Sequence, residues 1–278
     1  MRVIAIINLK GGVGKTVTAI NTAAILAAEH HKRVLIIDAD SQGNTTEFLQ
    51  VDNLHPATLA DLLRGKGLPA TIIERTKLKG VDIVPADEEL MDLDLTKVET
   101  GAASARCIKE LLSEKKGVGD KYDFCIIDCP PAFNAAACAA LVAADEAVVP
   151  MKLDAFSLRG MANVVRQINN MKAINPNLKL AGILPTMWYR NANIIEAEKL
   201  LKKSGIPCFA RIRRTPKVDD STFGQEPVIV SSPKSAAALD YRRFVKELLF
   251  GMIDGKGRTP AGETSSALRA PSPEGRRQ

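Results

Sequence analysis

Between an apolar run, Val3-Ile4-Ala5-Ile6-Ile7, and a stretch of helical spacing from Thr16 to Glu29 lies the octet Leu9-Lys10-Gly11-Gly12-Val13-Gly14-Lys15-Thr16. The run has the pattern of a strand buried on both faces of a parallel sheet. Ala19, Ile20, Ala23, Ala24, Ile25 and Leu26 carry the helical period, uninterrupted by glycine or proline. Gly11, Gly12 and Gly14 can take backbone angles closed to other residues and have no side chain in the way, so successive N–H groups can turn inward as an anion nest. Strand, glycine loop and helix N-terminus in that order aim a helix dipole at a phosphate. Lys15 and Thr16 go beyond what a bare glycine turn needs: the lysine suits the β- and γ-phosphates of a nucleotide, and the threonine hydroxyl suits its Mg²⁺.

The octet departs from the ordinary P-loop in two ways. Leu9 stands where a glycine is expected, and Lys10 adds a second ammonium to a loop already served by Lys15. Such a lysine is either a solvated charge or reaches phosphate from another direction. Two later apolar strands end in carboxylates. Val34-Leu35-Ile36-Ile37-Asp38-Ala39-Asp40 runs into the polar turn Ser41-Gln42-Gly43-Asn44, and at strand period Asp38 and Asp40 share a face at the end where parallel α/β folds keep their ligands. Taken alone, that segment reads first as a solvated pair of strand-end aspartates. Tyr122-Asp123-Phe124-Cys125-Ile126-Ile127-Asp128-Cys129 is closed by Pro130 and Pro131, which cannot extend a sheet.

The Lys-Gly-Gly-Val-Gly-Lys-Thr arrangement is similar to the deviant Walker A motif of the ParA/MinD family of ATPases, and the resemblance runs over about residues 1 to 250. It implies ATP and Mg²⁺ as cofactors and a face-to-face homodimer in which Lys10 crosses to the nucleotide of the other subunit. By the same resemblance residues Lys10, Gly11, Gly12, Val13, Gly14, Lys15, Thr16 and Val17 hold the nucleotide; Thr16, Asp38 and Asp128 lie at the metal; and Lys10, Lys15 and Asp40 act in hydrolysis, Asp40 by orienting or polarising water. The 38–44 segment looks like the family's Asp-x-Asp-Pro-Gln-Gly-Asn motif with Ser41 for proline, and the 122–131 segment resembles its Walker B strand. Val17 replaces a threonine whose hydroxyl reaches the α-phosphate in the family. The stretches 184–190 and 212–218 match more loosely.

Apolar runs alternating with helical segments in a 278-residue chain that is 46% hydrophobic indicate one α/β domain, a doubly wound, mostly parallel sheet with helices on both faces. Further strands are expected near 81–85, 145–151 and 179–185, with helices near 103–115, 134–143, 157–172, 192–203 and 234–250. Residues 1–254 are expected to form this ATPase domain, with no room for an N-terminal helix-turn-helix. In 255–278, ten residues are Gly, Pro or Ser, and five cations face two carboxylates for a net +3 of the chain's +6, the pattern of a disordered basic tail. That tail reads equally as an auxiliary grip on nucleic acid or a solubilising extension. Its one bulky aliphatic residue after Ile253, Leu268, argues against the amphipathic membrane anchor of MinD-like relatives. No run approaches the roughly 18 apolar residues of a membrane span, and the N-terminus lacks a signal peptide, so a cytoplasmic protein is expected.

Cys107, Cys125, Cys129, Cys138 and Cys208 then read as reduced core thiols, and their spacing supports no metal cluster. His30 and His31 close the first helix and are assigned no function. Guanine-specific signatures are absent, since Thr96-Lys97-Val98-Glu99 ends in glutamate, so ATP is preferred. Arg190, Lys199, Lys202, Lys203, Arg211, Arg213, Arg214 and Lys217 crowd a stretch holding only Glu196 and Glu198 as acids, a patch suited to neutralising phosphates without reading bases. Lys199, Lys202 and Lys203 also have a reading as a solvated helix face; Arg190, Arg213, Arg214 and Lys217 are the DNA-binding candidates. The resemblance therefore points to DNA partitioning: a dimer that is nucleoid-associated when ATP-bound and released by hydrolysis stimulated by a ParB-type partner, in plasmid, chromosome or mobile-element segregation. A MinD-like or cargo-positioning ATPase acting on membranes or protein assemblies, and a metabolic P-loop ligase, are the alternatives.

Overall fold

The computed structural model describes residues 1–50, 57–66, 72–95, 102–113 and 118–252. In chain order these form β1 (Arg2–Ile6), α1 (Lys15–Ala28), β2 (Val34–Asp38), α2 (Asn44–Phe48), α3 (Leu59–Leu63), β3 (Glu74–Arg75), β4 (Val81–Val84), α4 (Glu89–Leu95) and α5 (Ala102–Leu111). There follow β5 (Phe124–Asp128), α6 (Ala135–Ala143), β6 (Glu146–Lys152), α7 (Ala155–Met171), β7 (Lys179–Thr186), α8 (Ala192–Lys203), α9 (Pro216–Phe223), α10 (Val228–Ser231) and α11 (Ala236–Phe250).

Seven strands lie in the order β3-β4-β2-β5-β1-β6-β7, all pairs parallel except β3 with β4. The doubly wound, mostly parallel sheet read from the sequence is thus present. The first apolar run is split residue by residue between two cores: Val3, Ala5 and Ile7 pack on the side of α3, α5, α6, α7 and α8, whereas Ile4 and Ile6 pack on the side of α1 and α11. Burial on both faces is why the run is continuously apolar and does not alternate.

Register places the site. Asp38 at the tip of β2 is level with Asp128 at the tip of β5, and Asp128 is level with Ile6, from which the glycine loop departs. Three strand ends thereby converge on one point, at the carboxyl edge where such sheets bind ligands.

The five long helices and three later strands expected from the sequence appear, with ends displaced by up to four residues. Short α2, α3, α4, α9 and α10, and the two-residue β3, were not anticipated. Beyond β7 the segment 207–213 runs alongside: Ile183 N–H donates to Pro207 O (2.8 Å), Phe209 N–H to Ile183 O (2.9 Å) and Ile212 N–H to Pro185 O (2.7 Å). Among the described residues no helix is long and apolar enough to cross a membrane. The proposed tail 255–278 and Thr96–Glu99 lie outside the described residues.

Candidate nucleotide site

Gly12 and Gly14 adopt positive φ, 67° and 85°. No heavy atom lies within 4 Å of where a Cβ would stand on Gly11 or Gly12, so at Gly12 the backbone angle and not crowding demands glycine. Gly14 is also the N-cap of α1, which has neither a side-chain cap nor an acidic residue in its first turn. The first N–H groups of α1 therefore point into the loop with their positive dipole uncompensated, an arrangement that favours phosphate.

Lys15 is 7% exposed, folded beneath the loop with Nζ 3.4 Å from Lys10 O. Burial lowers its pKa, and the nearby Asp128 and Asp40 carboxylates oppose that shift. Asp128 is 1% exposed; its Oδ2 accepts from the Thr16 hydroxyl (2.7 Å) and the Thr45 hydroxyl (2.8 Å), while Oδ1 is buried with no hydrogen-bond partner among the described residues. An orphaned anionic oxygen at full burial is costly. Beside the Thr16 hydroxyl it is the hard oxygen donor set that Mg²⁺ prefers, and Thr16 and Asp128 fit such an ion. Burial pushes Asp128 upward in pKa against the pull of Thr16, Thr45 and Lys15.

Asp38 is wholly buried, and both its oxygens are engaged by protein donors: Oδ1 by the Asp40 N–H (3.2 Å), Oδ2 by the Thr46 N–H (2.9 Å) and hydroxyl (2.8 Å). Burial first, then the charge of Asp128, pushes its pKa up. Thr46 Oγ1 in turn accepts the Ala86 N–H at 3.0 Å. Asp38 thus pins the turn that carries Asp40. Asp40, 9% exposed, accepts the Gln42 N–H on Oδ1 (3.1 Å), and no described residue donates to its Oδ2.

Lys10 points the other way from Lys15. Its Nζ lies 2.9 Å from Asp154 Oδ2, 3.0 Å from Oδ1 and 3.1 Å from the Ser157 hydroxyl, at the N-terminus of α7. On the opposite flank a cavity of about 280 Å³ opens on Gly14 and Val17, lined by Thr186, Met187, Arg214, Asp219 and Tyr241 among others. Met187 stands at φ 52° there, and Thr186 Oγ1 donates to Val13 O at 2.8 Å, tying β7 to the loop.

The structure divides the basic stretch in two. Arg213 is clamped by Asp240, Lys217 pairs with Asp220 (3.0 Å), Lys202 and Arg211 share Glu198, and Lys199 faces Glu196. Arg190, Lys203 and Arg214 are exposed with no ion pair among the described residues. Asp220 and Asp240 lie outside the sequence window in which acids were scarce, so that window overstated the free positive charge.

The sequence reading missed Thr45, Thr46, Asp154, Ser157 and Tyr241. The Thr45-Thr46 pair directly after Gly43-Asn44 was a local signal; the others act across more than a hundred residues.

A glycine nest at a helix N-terminus, a buried lysine and a threonine facing a strand-end aspartate define a P-loop nucleotide hydrolase. A family profile described as an AAA domain matches residues 1–180. The chain is 34% identical over 254 residues to the chromosome partitioning protein ParA of Caulobacter vibrioides, covering 90% of this chain and 94% of that one. It is 32% identical over 258 residues to the sporulation initiation inhibitor protein Soj of Bacillus subtilis, covering 89% and 98%. Among solved structures, cobyrinic acid a,c-diamide synthase of Mycobacterium smegmatis with a bound ATP analogue and magnesium is similar with TM-score 0.76 and 31% identity, covering 90% and 94%. The chain belongs to the ParA family of P-loop ATPases, and ATP with Mg²⁺ is what it hydrolyses.

Proposed function

We propose that this ATPase partitions DNA. In this reading ATP closes two copies face to face, the dimer holds DNA without reading sequence, and hydrolysis stimulated by a ParB-type partner releases it, in the cytoplasm and on the nucleoid, during plasmid, chromosome or mobile-element segregation. Residues 1–254 form the ATPase domain and 255–278 a basic tail. Gly11 to Val17 cradle the phosphates, Lys15 neutralises them, Thr16 and Asp128 hold Mg²⁺ with Asp38 one step behind, and Asp40 orients the attacking water. Arg190 and Arg214 are the first candidates for phosphate contact, with Arg213 and Lys217 second because each already has a carboxylate partner.

The observation that carries the reading is the division of labour between two lysines. Lys15 lies buried in its own loop, whereas the Lys10 side chain is 39% exposed at the mouth, where it is redundant for a single subunit. ATP-dependent retention on nonspecific duplex DNA, measured with and without Mg²⁺, tests it; no retention in the presence of both would overturn it. The M. smegmatis neighbour, described as an amide synthase, favours a second reading, phosphoryl transfer to a small molecule, and the same assay separates the two.

A further inference from the structure

Two adjacent residues of α11 grip both walls of the cavity that flanks the glycine loop. Tyr241 is 2% exposed and lines that cavity; its hydroxyl shares a hydrogen bond of 3.4 Å with Thr18 Oγ1, on the helix that the loop caps. Burial pushes its phenol up to about 12, so it remains a neutral hydrogen-bonding group. Asp240, one residue earlier, spends its whole carboxylate on Arg213. Oδ2 accepts the Arg213 main-chain N–H (2.9 Å) and Nε (2.8 Å), and Oδ1 accepts Nη2 (2.9 Å). Its side chain is 13% exposed, so this fork-shaped pair is better shielded than an ordinary surface pair.

Arg213 belongs to the segment that forms the far wall. The Trp188 N–H donates to Ile212 O (2.9 Å) and the Arg214 N–H to Trp188 O (2.8 Å), and the Arg211 guanidinium stacks on the Trp188 ring at 3.6 Å. Ile212, Arg213, Arg214 and Thr215 then face Gly14 and Val17 across about 280 Å³ of space. The near wall is anchored to the sheet through β1 and α1. The far wall is joined to β7 at its start, where the Ile212 N–H donates to Pro185 O (2.7 Å), to Trp188, and to α11 through the Arg213 pair with Asp240. This cavity is the space beside the loop into which the nucleoside of a loop-bound nucleotide would extend.

We infer that Asp240 is a positioning residue for ATP: through Arg213 it holds the segment 212–215 at the distance from the glycine loop that a nucleoside requires. Arg213 thereby serves the nucleotide site first, which is why it stands behind Arg190 and Arg214 for DNA contact. The inference concerns nucleotide affinity and stands apart from the DNA reading, whose assay can fail without affecting it.

The test is calorimetric titration of the full chain with a non-hydrolysable ATP analogue and, separately, with inorganic tripolyphosphate, which fills the loop but not the nucleoside space. In Asp240→Ala the analogue should bind about tenfold more weakly while tripolyphosphate affinity stays within about twofold, and the Michaelis constant for ATP should rise with little change in kcat. Arg213→Ala, which keeps the main-chain N–H on Asp240, should show a smaller loss of the same kind. The double variant should bind no more weakly than Asp240→Ala, because both changes remove one interaction. Unchanged analogue affinity in Asp240→Ala, or equal weakening of both ligands, overturns the inference. Should Asp240→Ala fail to fold, Arg213→Ala alone decides by the same contrast between the two ligands.

Discussion

The Lys10 ammonium lies 2.9 Å from the carboxylate of Asp154, the residue that also caps α7 by accepting the Ser157 N–H. A lysine that is to reach the nucleotide of another subunit must first leave this pair. The side chains are 39% and 28% exposed, so the pair is worth about 0.2 to 1 kcal/mol, enough to bias the lysine without locking it. Asp154→Asn should therefore shift ATP-dependent dimerisation to lower ATP concentration, by at most about fivefold. Lys10→Ala should keep ATP binding and lose the ATP dimer. Light scattering checks both; an intact ATP dimer of Lys10→Ala would refute the crossing role.

The same pair sets a pH dependence. Burial tends to raise the Asp154 pKa, but hydrogen bonds from Lys10 and Ser157 outweigh it and hold the group at about 2, below the ordinary 3.8. A depressed carboxylate contributes stability above its unfolded value and loses it as pH falls through the folded one. The stability difference between the parent chain and Asp154→Asn should be flat through neutral and mildly acidic pH and shrink from about pH 4 to about 2. Urea unfolding across that range measures it, and a difference that grows on acidification would contradict the pairing.

Asp40→Ala should slow ATP hydrolysis by ~10²- to 10⁴-fold if the carboxylate acts as a general base, and less if it only positions water. Binding should survive, because Lys15 and the glycine loop do not depend on it. Phosphate release under single-turnover conditions reads the step directly; parent-like turnover would remove Asp40 from the mechanism.

Val17 borders the flanking cavity next to Gly14, where the resemblance to the family implies a threonine. Val17→Thr should tighten nucleotide binding by roughly 0.5 to 1.5 kcal/mol, the net worth of one hydrogen bond. Competition with a fluorescent ATP analogue checks this; weaker binding would show that the cavity wall needs the methyl group.

Arg190 and Arg214 are exposed without ion pairs among the described residues, whereas Arg213 and Lys217 already have carboxylate partners. Removing a side chain that neutralises one phosphate should lower the slope of log affinity against log salt by about 0.9 on duplex DNA. Arg190→Ala with Arg214→Ala should flatten the slope by about 1.8, and Lys217→Ala by less than about 0.9. Truncation after Asp254 should weaken binding less and leave ATP dependence intact. If truncation abolishes binding and the arginine pair does nothing, the tail is the DNA-binding element.

Local chemistry was legible in the sequence. Val3 to Ile7 gives a strand buried on both faces, three glycines before Lys15 give the nest, and the carboxylates of Asp38 and Asp128 mark two strand ends, because each of these signals is contained in a dozen residues. Pairings between distant segments were not. Nothing near Lys10 announces Asp154, and counting acids near Arg213 could not find Asp240, 27 residues further on in α11. The helix α9 was legible and passed over: Thr215 caps it and Pro216 opens it, a pairing typical of helix starts. The five-residue α2 is too short to leave a period, and Asp38 fixes its start through Thr46.

The segment alongside β7 has one more effect. A parallel sheet that ended at β7 would present a row of unsatisfied main-chain donors and acceptors, a template for strand addition by any extended chain. Pro207, Phe209 and Ile212 pair with Ile183 and Pro185 in that row, and among the described residues the opposite margin is the two-residue β3, carrying Glu74 and Arg75. Among the described residues the outer half of β7, around Ile183 and Pro185, is thus already spent within the chain, so an extended segment arriving there finds those main-chain groups taken.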